Sequence, residues 1–334
     1  MIRKIIKIST EHKQAKYRQI IQSIINGITD GLIKKGDKIP SINEIANEYN
    51  LSRDTVMLAF NELKARGILA AVPGKGYFVD SDNVGIVKRV MVLFDELNTF
   101  KEELYNAFID NLSDDTQVDI YFHHFDTNVF SSLIKERAGR YSAYVIMPAN
   151  LSAVLPIIEI LPHDKVYLLD RKINELKNYP VIYQSFDEDM YNGLSAAHPL
   201  LKKYNKVILA YPGGKEPEGF LTGFERFCAD NKVNYEVYDQ IKSKPIKKGE
   251  VYILPTDRML INLVKRCWEK GLKIGEDVGV ISINDSALKE VVANGISTIS
   301  TDFKEMGKTL ADFVENKKTG AVKNISRFTQ RNSL

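Results

Sequence analysis

Apolar strand-like runs alternate with amphipathic helical stretches along most of the chain, and this alternation restricts the fold more than any other feature. The apolar runs are Arg89 to Phe94, Ala143 to Met147, Val166 to Leu169, Val207 to Tyr211, Val251 to Leu254 and Val278 to Ile283. The helical stretches are Glu102 to Leu112, Asp189 to Tyr204, Gly219 to Asn231 and Arg258 to Lys270. The pattern predicts an α/β domain of doubly wound parallel sheets, and residues 89–334 are long enough for two lobes.

The first 80 residues have a different pattern, in which three helices precede a hairpin. A stripe of apolar residues at helical spacing predicts a helix from Lys13 to Lys34, ended by Gly36; the stripe is Tyr17, Ile20, Ile21, Ile24, Ile25, Ile28 and Leu32. Pro40 and Ser41 open a second helix, in which Ser41 and Glu44 form a capping box. Ser52 caps a third helix, which Gly67 closes.

Two extended runs follow the third helix, Ile68 to Val72 and Tyr77 to Val79. Pro73, Gly74, Lys75 and Gly76 between them favour a tight hairpin with a lysine at its tip. Two helices joined by a short turn and followed by such a hairpin predict a winged helix-turn-helix in residues 1–80. Ser81 to Gly85 form a short polar stretch, so residues 81–88 are predicted to be a linker.

The net charge of +3 hides a difference between these two parts of the chain. Residues 1–80 contain 13 Lys and Arg against 8 Asp and Glu, a surplus of +5, whereas the rest of the chain has a net charge of −2. A local basic surface attracts a polyanion within a Debye length, whatever the average over the chain. The first domain is therefore a candidate for binding nucleic acid, although a solvated basic surface would give the same count.

The amino end of the second helix of such a unit enters the major groove of DNA, so residues there that the core does not need can contact bases and phosphates. Arg53 can pair with a guanine, while Ser52 and Thr55 suit phosphate oxygens. The predicted DNA-binding residues are Ser41, Asn43, Ser52, Arg53, Asp54, Thr55, Met57, Gly74, Lys75 and Gly76. The alternative is a solvated helix end in which Ser52 is only a cap.

Residues 32–79 resemble the GntR-type winged helix of bacterial regulators. The resemblance rests on Gly36-Asp37-Lys38-Ile39-Pro40-Ser41, Leu51-Ser52-Arg53-Asp54-Thr55-Val56, Gly67-Ile68 and Gly74-Lys75-Gly76-Tyr77-Phe78-Val79. It implies that Ser52, Arg53, Thr55 and the hairpin glycines contact DNA. The family often has an arginine where this chain has Asn43, so the base contact that this arginine makes is not expected here.

Open parallel sheets bind ligands beyond the carboxyl ends of their strands, so the residues that follow each strand are candidate ligand contacts. They combine carboxylates, an amide, an arginine and aromatic rings: Asp95, Asn98, Phe100, Arg171, Phe220, Asp257 and Asn284. Such groups suit a neutral polyhydroxylated ligand, whose hydroxyls both donate and accept and whose ring faces stack, so a sugar is predicted. In the alternative interpretation each acidic residue only caps the following helix.

The same region resembles the LacI-type repressor core and its periplasmic-binding-protein relatives. The resemblance is carried by Val166-Tyr167-Leu168-Leu169-Asp170-Arg171, by Gly223-Phe224, by residues 275–285 and by the terminal Arg331-Asn332-Ser333. It implies that Arg171, Asp257 and Asn284 hold ligand hydroxyls. Asn284 replaces the family's usual aspartate, and Phe220 stands where many members have an arginine, so the ligand is expected to differ from the usual hexoses.

A winged helix joined to this core is similar to the arabinose-repressor type of regulator. The resemblance implies a homodimer that binds a near-palindromic operator and represses a carbohydrate-utilisation operon. A sugar such as a pentose or a 6-deoxyhexose, bound between the two lobes, would release the dimer from DNA or change the spacing of its two winged helices. No cofactor is expected.

Two other classes of protein fit the sequence less well. An enzyme is disfavoured, because Tyr211-Pro212-Gly213-Gly214-Lys215 lacks the rest of a phosphate loop and Glu216 stands in the Ser/Thr position. A sugar-binding module without specific DNA binding would leave Arg53 and Lys75 without a role. The scattered histidines, together with the lone Cys228 and Cys267, predict neither a metal site nor a disulfide, and with no long apolar stretch a cytoplasmic protein is expected.

Overall fold

The computed structural model describes residues 2–8, 15–82, 84, 88–239 and 244–334. The chain divides into two compact units, the first formed by residues 1–95, 112–147 and 151–167 and the second by residues 96–111, 148–150 and 168–334. The two units are the parts of the chain that are densely packed within themselves, and they do not test the domain boundaries predicted at residues 80 and 88. Those boundaries stay a prediction. Among the described helices, none combines the length and the apolar character needed to cross a bilayer.

The first unit begins with a winged helix-turn-helix, as the sequence predicts. Its elements are α1 (Ile2–Ile5), α2 (Lys16–Thr29), β1 (Lys38–Ile39), α3 (Ile42–Tyr49), α4 (Arg53–Ala65), β2 (Leu69–Val72) and β3 (Gly76–Val79). The three strands form an antiparallel sheet in the order β1-β3-β2, with Ile39 opposite Tyr77 and Leu69 opposite Val79. Hairpin β2–β3, with Gly74 to Gly76 at its tip, is called the wing below.

Helix α2 is shorter than the sequence predicts. It ends at Thr29, where Gly31 adopts a positive φ of 69° and the amide of Leu32 donates to the carbonyl of Gly27. Leu32 is consequently 62% exposed and does not belong to the inward stripe, and Gly36 does not end the helix. Residues 13 and 14, where the predicted helix begins, lie outside the described residues.

The winged helix has a hydrophobic core of its own. Ile20 and Ile24 of α2 are fully buried with Phe60 and Leu63 of α4, and the ring of Phe60 meets that of Tyr77 edge to face at 4.7 Å. Helix α1 adds to this core through the neighbouring Ile6, which is also fully buried.

The first unit also contains the start of the α/β part. It includes β4 (Lys88–Phe94), β5 (Thr116–Phe122), α6 (Thr127–Arg137), β6 (Ala143–Ile146) and α7 (Leu155–Ile158). Strand β4 pairs in parallel with β5 on one side and with β6 on the other, so that Val92 lies opposite both Ile120 and Val145. Because β4 is covered on both faces, its residues from Val90 to Phe94 are all buried.

The second unit contains the remaining helices and strands. Its helices are α5 (Thr99–Ile109), α8 (Phe186–Leu201), α9 (Glu218–Asp230), α10 (Asp257–Glu269), α11 (Ala287–Val291) and α12 (Phe303–Asn316). Its strands are β7 (Val166–Asp170, from Leu168 onward), β8 (Val181–Tyr183), β9 (Lys206–Ala210), β10 (Tyr235–Tyr238), β11 (Glu250–Leu254), β12 (Val278–Ile283), β13 (Ser297–Thr301), β14 (Ala321–Lys323) and β15 (Ser326–Thr329).

Parallel pairing dominates this unit. One six-stranded sheet has the order β10-β9-β11-β12-β13-β15, in which only the β13–β15 pair is antiparallel. Strand β8 pairs in parallel with β7 and with β14. The predicted fold class, parallel-sheet α/β lobes after a winged helix, is confirmed.

Close helix packing explains a glycine within the predicted Gly-Phe pair. A Cβ on Gly223 of α9 would lie 2.2 Å from the carbonyl oxygen of Asp187 in α8, a distance that no real Cβ tolerates. Asp187 itself is in the first turn of α8, because this helix begins at Phe186 and not at the predicted Asp189. The amino end of α8 therefore approaches α9 closely.

Candidate DNA interface and candidate effector site

The amino end of α4 is shaped by its cap. The hydroxyl of Ser52 accepts a hydrogen bond from the amide of Thr55 at 3.2 Å and lies 2.8 Å from the hydroxyl of Thr55. Arg53, Asp54 and Met57 are exposed, while the opposite side of the helix is buried in the core of the winged helix. The helix therefore presents the predicted contact residues outward.

Helix α3 is fixed by the predicted capping box. The hydroxyl of Ser41 accepts from the amide of Glu44 at 3.3 Å, and the carboxylate of Glu44 accepts from the amide of Ser41 at 2.7 Å. These bonds to Ser41 lower the pKa of Glu44 below its usual value. Asn50 closes the helix in a left-handed conformation with φ of 49°, which makes the tight turn toward α4, and Asn43 is exposed on α3.

The wing places one lysine at its tip and brings a second lysine beside it. Gly74 and Gly76 both have positive φ, and Lys75 between them is exposed. Lys38 of β1 lies across the sheet, with its Cε 3.3 Å from the position of a Cβ on Gly76. Sequence reasoning missed Lys38, although it lies within the motif Gly36 to Ser41.

Arg171 forms a cluster with two phenylalanines in the second unit. Its guanidinium carbon lies 5.6 Å from the ring centroid of Phe186, and that ring meets Phe220 edge to face at 5.4 Å. The guanidinium also donates a long hydrogen bond of 3.4 Å to the carbonyl of Ala149. A cation beside aromatic faces is an arrangement that can hold a ring bearing hydroxyls.

A buried lysine ties two other predicted ligand residues together. The ammonium group of Lys289, only 2% exposed, lies 2.9 Å from the carboxylate of Asp257 and donates to the carbonyls of Ile283 and Asn284 at 2.9 and 2.5 Å. Burial lowers the pKa of Lys289, and the carboxylate of Asp257 opposes this. Sequence reasoning missed Lys289, because nothing in the pattern of α11 distinguishes it from a solvated lysine.

The remaining predicted ligand residues have partners of their own. Asn98 caps α5 by accepting from the amide of Lys101 at 3.1 Å, and Phe100 stacks on Phe303 with ring centroids 4.8 Å apart. Asp95 is buried at the end of β4 in the first unit, and its backbone carbonyl accepts from the amide of His124 at 2.7 Å. For Asn98, the helix-capping alternative describes what its side chain does in this structure.

The two cysteines are buried and unpaired. Burial raises the pKa of Cys228 to about 12 and that of Cys267 to about 11, so both thiols stay protonated at neutral pH. Within the described ranges, no three His, Cys, Asp or Glu side chains come together as a group that could hold a metal ion.

Comparisons with known proteins match both parts of the chain. Residues 16–79 match the family described as bacterial regulatory proteins, gntR family, and residues 197–329 match the periplasmic binding protein-like domain. The arabinose metabolism transcriptional repressor of Geobacillus stearothermophilus is 23% identical over 333 residues, which cover 90% of either chain. The HTH-type transcriptional repressor YtrA of Bacillus subtilis (strain 168) is 30% identical over 105 residues, covering 31% of this chain and 77% of YtrA.

Solved structures of other proteins have a similar fold. The lactose repressor bound to the anti-inducer ONPF matches with a TM-score of 0.61 and 16% identity, covering 73% of this chain and 99% of that chain. A winged helix of this family followed by a domain of this fold is the architecture of a transcription regulator. The chain belongs to the GntR family of bacterial regulatory proteins, and its second part is a LacI-like, periplasmic-binding-protein-like domain.

Proposed function

We propose that this protein is a sequence-specific repressor of a carbohydrate-utilisation operon, which leaves its operator when a small neutral sugar binds to the second unit. The observation that carries the proposal is the exposed amino end of α4, where Arg53 and Met57 face outward beside the Ser52 cap. The name of the Geobacillus relative, a repressor of arabinose metabolism that aligns over 90% of the chain, supports the sugar part.

The DNA contacts divide into two kinds. Arg53 is exposed, and among the described residues its guanidinium has no partner, so it can pair with a guanine in the major groove and thereby specify sequence. The hydroxyl of Thr55 and the lysines at the wing, Lys75 and Lys38, suit phosphate oxygens, which position the protein without reading sequence. Two winged helices of a homodimer would read a near-palindromic operator, because a two-fold axis in the protein imposes one on the site.

The sugar proposal rests on two side-chain clusters in the second unit. Arg171 with Phe186 and Phe220 offers a cation and aromatic faces, while Asp257 and Asn284 offer oxygen acceptors at the ends of β11 and β12. Together they suit a pentose or a 6-deoxyhexose better than a charged ligand. The sugar must bind one conformation of the repressor more tightly than the other, since a ligand of equal affinity for both shifts nothing.

DNA binding is tested by fluorescence anisotropy with a labelled fragment from upstream of the protein's own operon and with a scrambled fragment of equal length. Loss of the Arg53 contact is expected to cost about 1 to 3 kcal/mol, so Arg53→Ala should weaken specific binding roughly tenfold to a hundredfold. Arg226→Ala is the matched control, because Arg226 is an exposed helical arginine of the second unit whose guanidinium lies over the ring of Tyr191. Equal, weak binding of both fragments by wild type and Arg53→Ala would refute the regulator proposal.

Effector binding is tested by thermal unfolding in the presence of pentoses, 6-deoxyhexoses, hexoses and their phosphates. We expect a neutral monosaccharide to raise the unfolding midpoint of the wild type and of Arg226→Ala but not of Arg171→Ala. A rise that only phosphorylated sugars produce and that Arg171→Ala abolishes would contradict a neutral effector.

A further inference from the structure

A polar cavity of about 570 Å³ lies within the first unit, where the winged helix meets the start of the α/β part. The winged helix contributes Lys64 at the end of α4 and the β2 residues Leu69 to Ala71. The other wall includes Arg89 of β4 and the residues that end α6 and follow it. The charged lining residues are Lys64, Asp80, Arg89, Glu136, Arg137 and Arg140, so cations outnumber carboxylates by four to two.

Two of the arginines are held in place by partners. Arg89 donates to the carboxylate of Asp119 at 2.6 Å, and its guanidinium carbon lies 5.1 Å from the ring centroid of Tyr141. Arg137 lies over the ring of Tyr121 at 4.2 Å and pairs with Glu136 at 3.1 Å. These arginines therefore form a fixed wall, in which the buried Nε of Arg89 makes no hydrogen bond with any described residue.

Lys64 and Arg140, in contrast, form no ion pair within the described part of the chain. Lys64 is half-buried, and its Nζ lies 3.4 Å from the position of a Cβ on Gly139, the residue before Arg140. Burial and the charge of Arg140 lower the pKa of Lys64. Arg140 also feels the carboxylate of Glu136, which already pairs with Arg137, whereas Lys64 is partly desolvated beside a second cation. The two neighbouring cations repel each other, and an anion between them would relieve that repulsion.

We infer that this cavity binds the phosphate group of a small phosphorylated molecule, with Lys64 and Arg140 as its principal ligands. Ammonium and guanidinium donors are the side-chain groups that hold phosphate oxygens in proteins. The volume of about 570 Å³ is in the range of small-molecule sites, so a phosphate ester of a sugar fits as well as free phosphate.

This phosphate does not belong to bound DNA. Lys64 is eleven residues after Arg53 on the same helix, and a rise of 1.5 Å per residue places it about 16 Å from the end that is proposed to enter the groove. The cavity also shares no residue with the proposed sugar site, so the two proposals stand or fall separately.

The test uses the full-length protein in buffers of equal pH and ionic strength that contain either chloride alone or added inorganic phosphate. Phosphate is expected to raise the unfolding midpoint of the wild type by about 2 to 4 °C at saturation. The double variant Lys64→Met/Arg140→Gln should lose this rise while its midpoint in chloride stays the same or increases, because two cations that repel each other are removed. Arg226→Gln/Lys308→Met, which removes one exposed arginine and one exposed lysine of the second unit, should keep the rise.

Equilibrium dialysis with labelled phosphate gives a second measurement that does not depend on unfolding. In the unfolding experiment, glucose 6-phosphate and glucose are compared with inorganic phosphate. A larger rise of the unfolding midpoint with glucose 6-phosphate than with inorganic phosphate identifies a phosphate ester as the ligand, and equal rises identify phosphate itself. No response of the wild type beyond chloride would overturn the inference, as would a double variant that still binds phosphate. It would also fail if the double variant lost DNA affinity in chloride as severely as Arg53→Ala, because these residues would then contact DNA.

Discussion

The residues predicted to contact DNA and those predicted to contact the effector differ in what already holds them. Arg53, Met57 and Lys75 are exposed on the winged helix, and their side chains are available to a partner. In the second unit, Asp257 pairs with Lys289 and the guanidinium of Arg171 lies beside Phe186. A DNA contact can thus form without breaking an intramolecular one, whereas an effector must fit among groups that the fold has already placed.

Different forces would govern the binding of DNA and of the effector. Exposed cations attract a polyanion over a Debye length and release its counterions on binding, so their contribution depends strongly on salt. Oxygen acceptors and aromatic faces held by buried contacts act at short range on a neutral ligand, and salt barely affects them. On the proposed function, the chain's small net charge is the sum of a basic DNA-binding region and a region that binds its ligand without relying on net charge.

Ionic strength should change DNA affinity far more than sugar affinity. With six or more phosphate contacts in a dimer, DNA affinity should fall by about a thousandfold between 50 and 200 mM salt. Sugar affinity, measured by calorimetry over the same range, should change by less than about twofold because a neutral ligand releases no counterions. Sugar affinity that fell as steeply as DNA affinity would remove the distinction and indicate a charged effector.

Gly67 at the end of α4 tests whether the DNA face is independent of the structure behind it. Its φ of 67° disfavours any side chain, and a Cβ would lie 2.5 Å from the guanidinium of Arg89. Gly67→Ala should therefore destabilise folding by about 2 kcal/mol, roughly 30-fold in the unfolding equilibrium, as measured by urea denaturation. DNA affinity of the folded variant should stay close to that of the wild type.

Gly31→Ala is the control for this substitution. Gly31 has a similar φ of 69°, but a Cβ there meets no atom within 4 Å, so only the backbone strain remains. Equal destabilisation by the two substitutions would show that Arg89 moves away at no cost.

Lys289 tests the internal support of the effector residues. Lys289→Met keeps the length of the side chain but removes the bonds to Asp257 and to the carbonyls of Ile283 and Asn284. Misplaced acceptors should weaken sugar binding about tenfold, with DNA affinity in the absence of sugar unchanged. Lys308→Met, on an exposed position of α12, is the control, and unaltered sugar affinity in Lys289→Met would show that Lys289 has only a structural role.

The same contrast explains how much the sequence could predict. The capping box of Ser41 and Glu44, the Ser52 cap and the positive φ of Gly67 are local features, so they were predictable from neighbouring residues and are confirmed. The strands of the parallel sheets were predictable because burial on both faces leaves continuous apolar runs. The predicted effector residues stay a prediction, and several of them have structural partners.

What the sequence could not predict depends on contacts between distant segments. Strand β1 has only two residues and carries no periodic signal, yet its pairing with β3 brings Lys38 to the wing. Strand β14 is short and exposed, and β15 is short and mostly half-buried, so no buried apolar run marks either of them. The role of Lys289 depends on carbonyls and a carboxylate that only the folded sheet assembles, which no spacing rule along α11 encodes.

Lys75 provides the smallest and most specific comparison. The lysine is exposed at the wing tip, where the amide of the same residue closes the turn by donating to the carbonyl of Val72 at 3.0 Å. If Lys75 contacts phosphate, Lys75→Ala should weaken binding to specific and scrambled DNA alike, by about threefold, and should reduce the slope of log affinity against log salt by about one per wing. Arg53→Ala should instead weaken binding to the specific fragment more than to the scrambled one. A change of sequence preference in Lys75→Ala, with an unchanged salt slope, would mean that the wing contacts bases and not the backbone.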